Sequence, residues 1–322
     1  MEVNSAKTSP AGYSSYAGSA ENFLAFLDIS GAAILIVGGA LGHWRKLFSN
    51  SHFMEKLSTP DTNGKCYDLI LYHSGSAASR PKLIDDLQIL KNLAGKHGQI
   101  LYFAENLLSL ANFKQFLRRR NFHQLRRLCC MPLYFHKLFK HASMPVAKEF
   151  VGLPKYEAPE EMVIPGSQFL EVPAHAHAVY RLAACMQRYH WIADGRIYLI
   201  SNQSLENRTV IKIAARQIQG YLNNQGCLCT VERFDMRLRG SLVIFITEQN
   251  TRKNFITRLV SNPSVQKIVR RNQNILNFLH KSSRLPQSIK KKLPEPIGEK
   301  EDAAHTLFTE TLIQGRLAWK VN

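Results

Sequence analysis

Ala33-Ile34-Leu35-Ile36-Val37-Gly38-Gly39-Ala40-Leu41-Gly42 decides how this chain is read. Its first half is an unbroken aliphatic run, β-branched at Ile34, Ile36 and Val37, which predicts a strand buried on both faces as in a parallel sheet. Its second half is a glycine turn, and His43-Trp44-Arg45-Lys46-Leu47-Phe48 after it can start a helix. Strand, glycine turn and helix bring backbone close to a ligand.

Working outward, residues 21–27 predict a short helix leading into that strand. The stretch from Lys65 to His73 predicts a second buried strand, followed by a Ser74-Gly75-Ser76 loop. From Pro81 to Leu93, apolar residues at 83, 87, 90 and 93 have helical spacing, with proline near the first turn. Gln99 to Asn106 predicts a third strand and Leu107 to Arg120 a basic amphipathic helix. Alternating strands and helices of this kind make an α/β domain with a mostly parallel, Rossmann-like sheet. Ligands of such sheets sit beyond the carboxyl ends of the strands. Gly38, Gly39, Ala40 and Gly42, then His73, then Glu105, all fall at those ends.

The order of glycine turn, Tyr67-Asp68-Leu69-Ile70-Leu71, a helix closing in Leu90-Lys91-Asn92-Leu93-Ala94-Gly95-Lys96-His97-Gly98, and Gln99-Ile100-Leu101-Tyr102-Phe103 resembles class I S-adenosylmethionine-dependent methyltransferases over about residues 20 to 120. The resemblance implies that Gly38, Gly39, Ala40 and Gly42 hold the cofactor, with Glu105 beside it. It also implies a small-molecule acceptor near Asp68 and His73, His73 serving as base or orienting group. Three departures count against activity. Ile36 stands where the family has an acidic residue, and Ala40 stands for the second glycine. Only about twenty-five residues separate Gly42 from Asp68, where the family fits further strands and the acidic residue that grips the ribose. Ser51 to Leu57 reads as a remnant of one such strand, and its Glu55 is a poor match to that acidic residue.

The middle of the chain is less patterned. Residues 121–154 are basic and aromatic, and read as a lid or a surface-active segment. Pro154, Pro159, Pro165 and Pro173 mark 154–204 as linker and connecting elements, with a helix at 179–189 and a short strand from Arg196 to Ser201. His175 and His177 lack carboxylate or cysteine support for a metal.

In the second half, a helix from Leu205 to Asn223 precedes three strands: Cys227 to Met236, Ser241 to Thr247 and Asn254 to Val260. Then come a helix from Pro263 to His280, with Asn262 as its cap, and two strands from Pro294 to Glu299 and Thr306 to Leu312. Over about 227 to 322 this order, with Thr309-Glu310-Thr311-Leu312-Ile313-Gln314-Gly315 at its end, resembles the small N-terminal lobe of aminoglycoside phosphotransferases and kinases. That resemblance implies an α+β domain with an antiparallel sheet and a weak nucleotide site at Arg239, Gly240 and Arg258. Arg258 stands for the phosphate-pairing lysine and, approximately, Asn272 for its glutamate. The sequence stops at Asn322, before a large lobe, so kinase activity is not expected.

The expected organisation is a flexible 1–20, a reduced methyltransferase-like domain at 21–153, the linker at 154–204 and the kinase-like lobe at 205–322. Net charge is +18, from 42 Lys+Arg against 24 Asp+Glu. That favours an acidic or phosphorylated partner, and for nucleic acid the charge is the one supporting feature. The six cysteines form no C-x-x-C pair and read as reduced thiols of a cytoplasmic protein, with no zinc site. No apolar run reaches the roughly 20 residues of a membrane span. Three functions remain open: methyl transfer, a non-catalytic binding protein keeping both folds, and nucleic-acid binding.

Overall fold

The computed structural model describes residues 21–29, 31–48, 50–57, 66–74, 80–105, 132–144, 146–153, 155–165, 167, 193, 195–224, 226–236, 240–302 and 304–313. In chain order, a helical turn α1 (21–26) leads to β1 (Ile34–Val37), a 3-10 turn (Gly39–Leu41), α2 (Gly42–Leu47), β2 (His52–Met54), β3 (Leu69–His73), α3 (Arg80–Ala94) and β4 (Gln99–Glu105). Then come α4 (Pro132–His141), β5 (Val146–Leu153), β6 (Glu161–Val163), β7 (Gly195–Ile200) and α5 (Thr209–Leu222). The last third holds β8 (Cys229–Asp235), β9 (Ser241–Glu248), β10 (Asn254–Val260), α6 (Pro263–Lys281), the single turn α7 (Gln287–Lys290), β11 (Pro296–Glu301) and β12 (Thr306–Thr311).

Among the described residues all twelve strands belong to one sheet, in the order β2-β1-β3-β4-β7-β5-β6-β8-β9-β10-β12-β11. Neighbours among β2, β1, β3 and β4 pair parallel, and every other pairing is antiparallel. The protein is therefore α/β with a mixed sheet, parallel only in its first four strands.

In this parallel block, alternate residues of each strand serve two separate cores. Ile34, Ile36, Leu69, Leu71, Leu101 and Phe103 face α1 and α2, meeting Phe23, Phe26 and Trp44. Leu35, Val37, Ile70, Tyr72, Ile100 and Tyr102 face α3 and α4, meeting Leu83, Leu87, Leu90, Phe135 and Phe139. Burial on both faces is why these strands read as continuous apolar runs.

One core runs through both halves of the expected division. The first core continues without interruption into the second half, through Phe234, Leu242, Ile244, Phe255 and Leu307, with Ile211, Ala214 and Ile218 of α5. Residues 154–204, read as linker and connecting elements with one short strand, hold two strands among the described residues. They supply β7, wedged between β4 and β5, and β6, the bridge between β5 and β8. β6 is held to β8 by a buried ion pair of Glu161 with Arg233 at 2.7 Å, and Asp235 lies 3.3 Å from the same guanidinium. A three-residue strand among prolines carries too little periodicity to be read from sequence.

The expected helices at 107–120 and 179–189, the strand end at Asn106, His175, His177, and the segments 1–20 and 315–322 lie outside the described residues.

Candidate functional site

Strand order reverses at β1: β2 lies on one side of it, and β3 and β4 on the other. In open α/β sheets the crevice outside the carboxyl ends at such a point is where ligands bind. Gly38 caps β1 there at φ +118, a conformation that side chains resist. Its N–H donates to the Met54 carbonyl at 2.9 Å, and its own carbonyl accepts from Leu41 N at 3.1 Å. A Cβ at Gly38 would lie 3.0 Å from the Cβ of His73, so glycine lets the first turn close on the tip of β3. Added side chains at Gly39 and Gly42 would meet nothing within 4 Å, so the outer side of the turn faces open space. Glu55 follows β2 directly and is exposed, one residue beyond the carbonyl that Gly38 binds.

His73 ends β3 and lies opposite Phe103 of β4. Glu105, two residues further along β4, is half-buried and lies opposite Gly195 of β7. The side chain that links these tips is Tyr156, from the 155–160 turn between β5 and β6. Its hydroxyl lies 2.9 Å from His73 Nε2, and the two rings stack at 5.8 Å between centroids. Tyr156 is 6% exposed. Gly195 and Gly152 make room for it: a Cβ at Gly195 would fall 2.3 Å from Tyr156 Cγ, and one at Gly152 would fall 2.8 Å from its Cα. Buried Trp44 of α2 fixes the same turn by donating Nε1–H to the Glu157 carbonyl at 2.9 Å.

Burial lowers the His73 pKa, offset in part by Glu157, so the imidazole is neutral at pH 7. A neutral imidazole beside a phenol can pass a proton either way. His43, on α2, is likewise lowered, by burial first and then by Lys46, with Glu160 opposing.

The structure thus brings together Gly38, Gly39, Ala40, Gly42, His73 and Glu105 along one edge. It does not bring Asp68 to them. Asp68 precedes β3 at the amino end of the sheet, about 17 Å along the strand from His73 at roughly 3.3 Å per residue. There its carboxylate accepts from Ala33 N at 2.8 Å and fixes the start of β1. The resemblance puts Asp68 on the acceptor side, and the structure places it at the head of β3, away from the strand tips. Tyr156 and Trp44 escaped sequence reasoning altogether. The only trace of Tyr156 is the pair Gly152 and Gly195, which no motif distinguishes from other glycines.

Arg258 and Gly240 are also engaged. Arg258 Nη2 donates to Glu310 Oε1 at 2.6 Å across β10 and β12. The Gly240 carbonyl accepts from Asn22 Nδ2 at 3.1 Å, which binds the β8–β9 turn to α1. Arg239 lies outside the described residues. On α6, Asn272 is exposed, and the buried polar side chain is its neighbour Gln273. Cys227, just before β8, and Cys229, its first residue, hold their thiols 3.9 Å apart. Among the described residues no group of three or more His, Cys, Asp or Glu is placed to hold a metal, and no helix is long and apolar enough to cross a membrane.

No family model and no curated protein matches the chain. Among solved structures it is similar to a methyltransferase: an S-adenosylmethionine-dependent enzyme of Thermotoga maritima, described as a possible histamine N-methyltransferase. That alignment covers 59% of this chain and 91% of the other, at 9% identity and a TM-score of 0.33. It is also similar to WbdD, a bifunctional kinase-methyltransferase, over 93% of this chain and 61% of that one, at 11% identity and a TM-score of 0.31. WbdD crystallised with the kinase inhibitor LY294002 aligns at 12% identity with the same TM-score, and this chain covers 60% of it.

Proposed function

We propose that the crevice at the tips of β1, β2, β3 and β4 binds the adenosyl group of S-adenosylmethionine, and that the protein is a methyltransferase-like protein of reduced activity toward a small-molecule acceptor. The observation that carries this reading is the contact of Gly38 with His73 at the point where strand order reverses. The residues fit the cofactor. The Gly38–Gly42 turn opens outward, and Glu55 stands at the tip of β2, where a carboxylate can accept from ribose hydroxyls. When bound, the cofactor supplies an electrophilic methyl group. In this reading Gly38, Gly39, Ala40 and Gly42 admit it by close backbone approach, and Glu55 orients its sugar. Glu105 flanks the crevice, and His73 with Tyr156 holds or moves a proton on the acceptor side.

Titration calorimetry with S-adenosylmethionine tests it. Binding is expected, with Glu55→Ala weakening it by about tenfold, the worth of one charge-assisted hydrogen bond. No heat and no thermal shift at millimolar cofactor overturns it.

A second reading has its own support. Tyr156 fills the acceptor side, and Ile36 lacks the carboxylate that the resemblance implies. A non-catalytic binding protein follows from that arrangement, and cofactor binding without turnover for any acceptor distinguishes it. In the second half, the order β8-β9-β10-β12-β11 with α6 after β10 supports the kinase-lobe-like reading. Glu310 on Arg258 and an amide at Gln273 argue against phosphoryl transfer there, because among the described residues Arg258 is already paired and α6 offers an amide where a carboxylate would hold the cation.

A further inference from the structure

Between Glu248 and Glu295 the chain has no acidic residue and eleven lysines and arginines. The same stretch holds four of the five large apolar side chains exposed among the described residues: Ile268 at 60%, Ile275 at 48%, Phe278 at 72% and Ile289 at 45%. At about 100° per residue, Lys267, Ile268, Arg271, Ile275, Phe278 and Lys281 share one arc of α6 about 140° wide. The opposite arc, with Val265, Val269, Gln273 and Leu276, is buried or half-buried against the protein. A shallow concavity of about 440 Å³ lies on the exposed arc between Lys267, Arg271 and Phe278. Beyond α6, His280 Nε2 lies 3.0 Å from the Pro294 carbonyl, which folds the α7 turn and its Lys290-Lys291-Lys292 run back beside the end of the helix.

Of these cations, Arg270 pairs with Glu299 and Glu301. Lys267, Arg271, Lys281 and the lysine run make no ion pair among the described residues.

We propose that α6 and α7 form a docking surface for an anionic lipid membrane, with Phe278, Ile275 and Ile268 entering the headgroup layer and the basic residues meeting lipid phosphates. An interfacial helix needs this pattern: apolar side chains outward, cations around them, and a body to which the rest of the helix is anchored. A protein partner fits less well, since the cores of protein interfaces are depleted in lysine. Nucleic acid fits less well too, since three of the four exposed apolar residues are isoleucines, which offer bases no ring to stack on. The proposal does not depend on the adenosyl crevice, which lies at the other end of the sheet order.

Co-sedimentation of the full chain with vesicles tests it. Vesicles of phosphatidylcholine alone are compared with vesicles containing about a third phosphatidylglycerol, at low and high salt. Binding to the anionic vesicles, lost at high salt and absent on neutral ones, is the expected result. Ile275→Glu/Phe278→Glu and, separately, Lys290→Glu/Lys291→Glu/Lys292→Glu are each expected to weaken binding by about tenfold or more. Both sets are at exposed or half-exposed positions, and an unchanged melting curve confirms that each variant folds. Equal binding to both vesicle types, no binding to either, or wild-type binding by the Ile275/Phe278 variant overturns the proposal. Capture of an acidic peptide or RNA with no anionic-vesicle binding does so as well.

Discussion

Tyr156 and His73 stack with their rings 26° from parallel, and hydroxyl and imidazole nitrogen lie 2.9 Å apart. The pair joins a turn from the antiparallel part of the sheet to a strand tip of the parallel part. It closes one side of the crevice at the strand tips, and the other side, around Gly38 and the exposed Glu55, is open.

The seat of Tyr156 is the absence of a side chain at Gly195. Gly195→Ala places a methyl group inside the ring, 2.3 Å from Cγ. It is expected to destabilise the protein by about 2–3 kcal/mol, the range for overpacking a filled site. The double variant Gly195→Ala/Tyr156→Ala should be less destabilised than the sum of the two singles, because the residue that clashes is gone. Urea unfolding of the three variants reads the coupling, and strict additivity would show that the ring does not rest on Gly195.

Burial of His73 sets a pH dependence. Its folded-state pKa is below the unfolded value of 6.5. A depressed pKa stabilises the folded protein above pH 6.5, and that stability is lost as pH falls through the folded value. Denaturant midpoints should therefore drop between about pH 7.5 and pH 5. His73→Asn should flatten the curve, leaving the smaller slope of His43, which is lowered in the same direction. An unchanged slope in that variant would mean that the imidazole titrates as freely folded as unfolded.

Arg258 and Glu310 face each other across β10 and β12 at 2.6 Å, with side chains 27% and 10% exposed. A double-mutant cycle with Arg258→Met and Glu310→Gln is expected to give a coupling of about 1 kcal/mol, at the upper end for exposed pairs because this one is partly shielded. Since Glu310 holds the guanidinium, a nucleotide triphosphate should leave the wild-type melting temperature unchanged and raise that of Glu310→Gln. A shift of equal size in both proteins would show that the arginine is already available to phosphate.

The cysteines should separate by reactivity. Cys66 is exposed, whereas burial pushes the Cys229 thiol up to about 12 and raises that of Cys227 as well. Thiolate is the reactive form, so Cys229 should alkylate on the order of a thousandfold more slowly than a free thiol. Mass spectrometry after timed iodoacetamide treatment is expected to find Cys66 modified before Cys227 and Cys229. Early label on Cys229 would place the start of β8 in solvent.

The apolar runs at 34–37, 69–73 and 99–105 are legible from sequence because both faces of each strand are buried, so nothing polar interrupts them. Asn262 is legible for a similar local reason: its side chain accepts from Ser264 N and Val265 N, a contact settled within three residues. Gly38 also announces its turn, since φ +118 requires glycine whatever surrounds it. The apolar run from Arg196 to Ser201 is legible as β7 in the same way, whereas β5 lies inside a basic, aromatic segment and β6 among prolines, where neither shows as a strand. β5 and β6 pair with each other, but what places that pair in the sheet is distant in sequence: β5 meets Ile197 and its neighbours, and β6 meets Arg233 and its neighbours.

Local chemistry, then, fixes the doubly buried strands, the capped helix after Asn262, where the glycine turn falls and how strongly basic the chain is. Those properties depend on residues a few positions apart. Tertiary structure alone decides that both halves share one sheet, that Asp68 lies at the opposite end of β3 from His73, and that Tyr156 sits against His73. Each of those outcomes depends on contacts between residues tens of positions apart, whose pairing is set by packing and register and leaves no mark on the order of neighbouring residues.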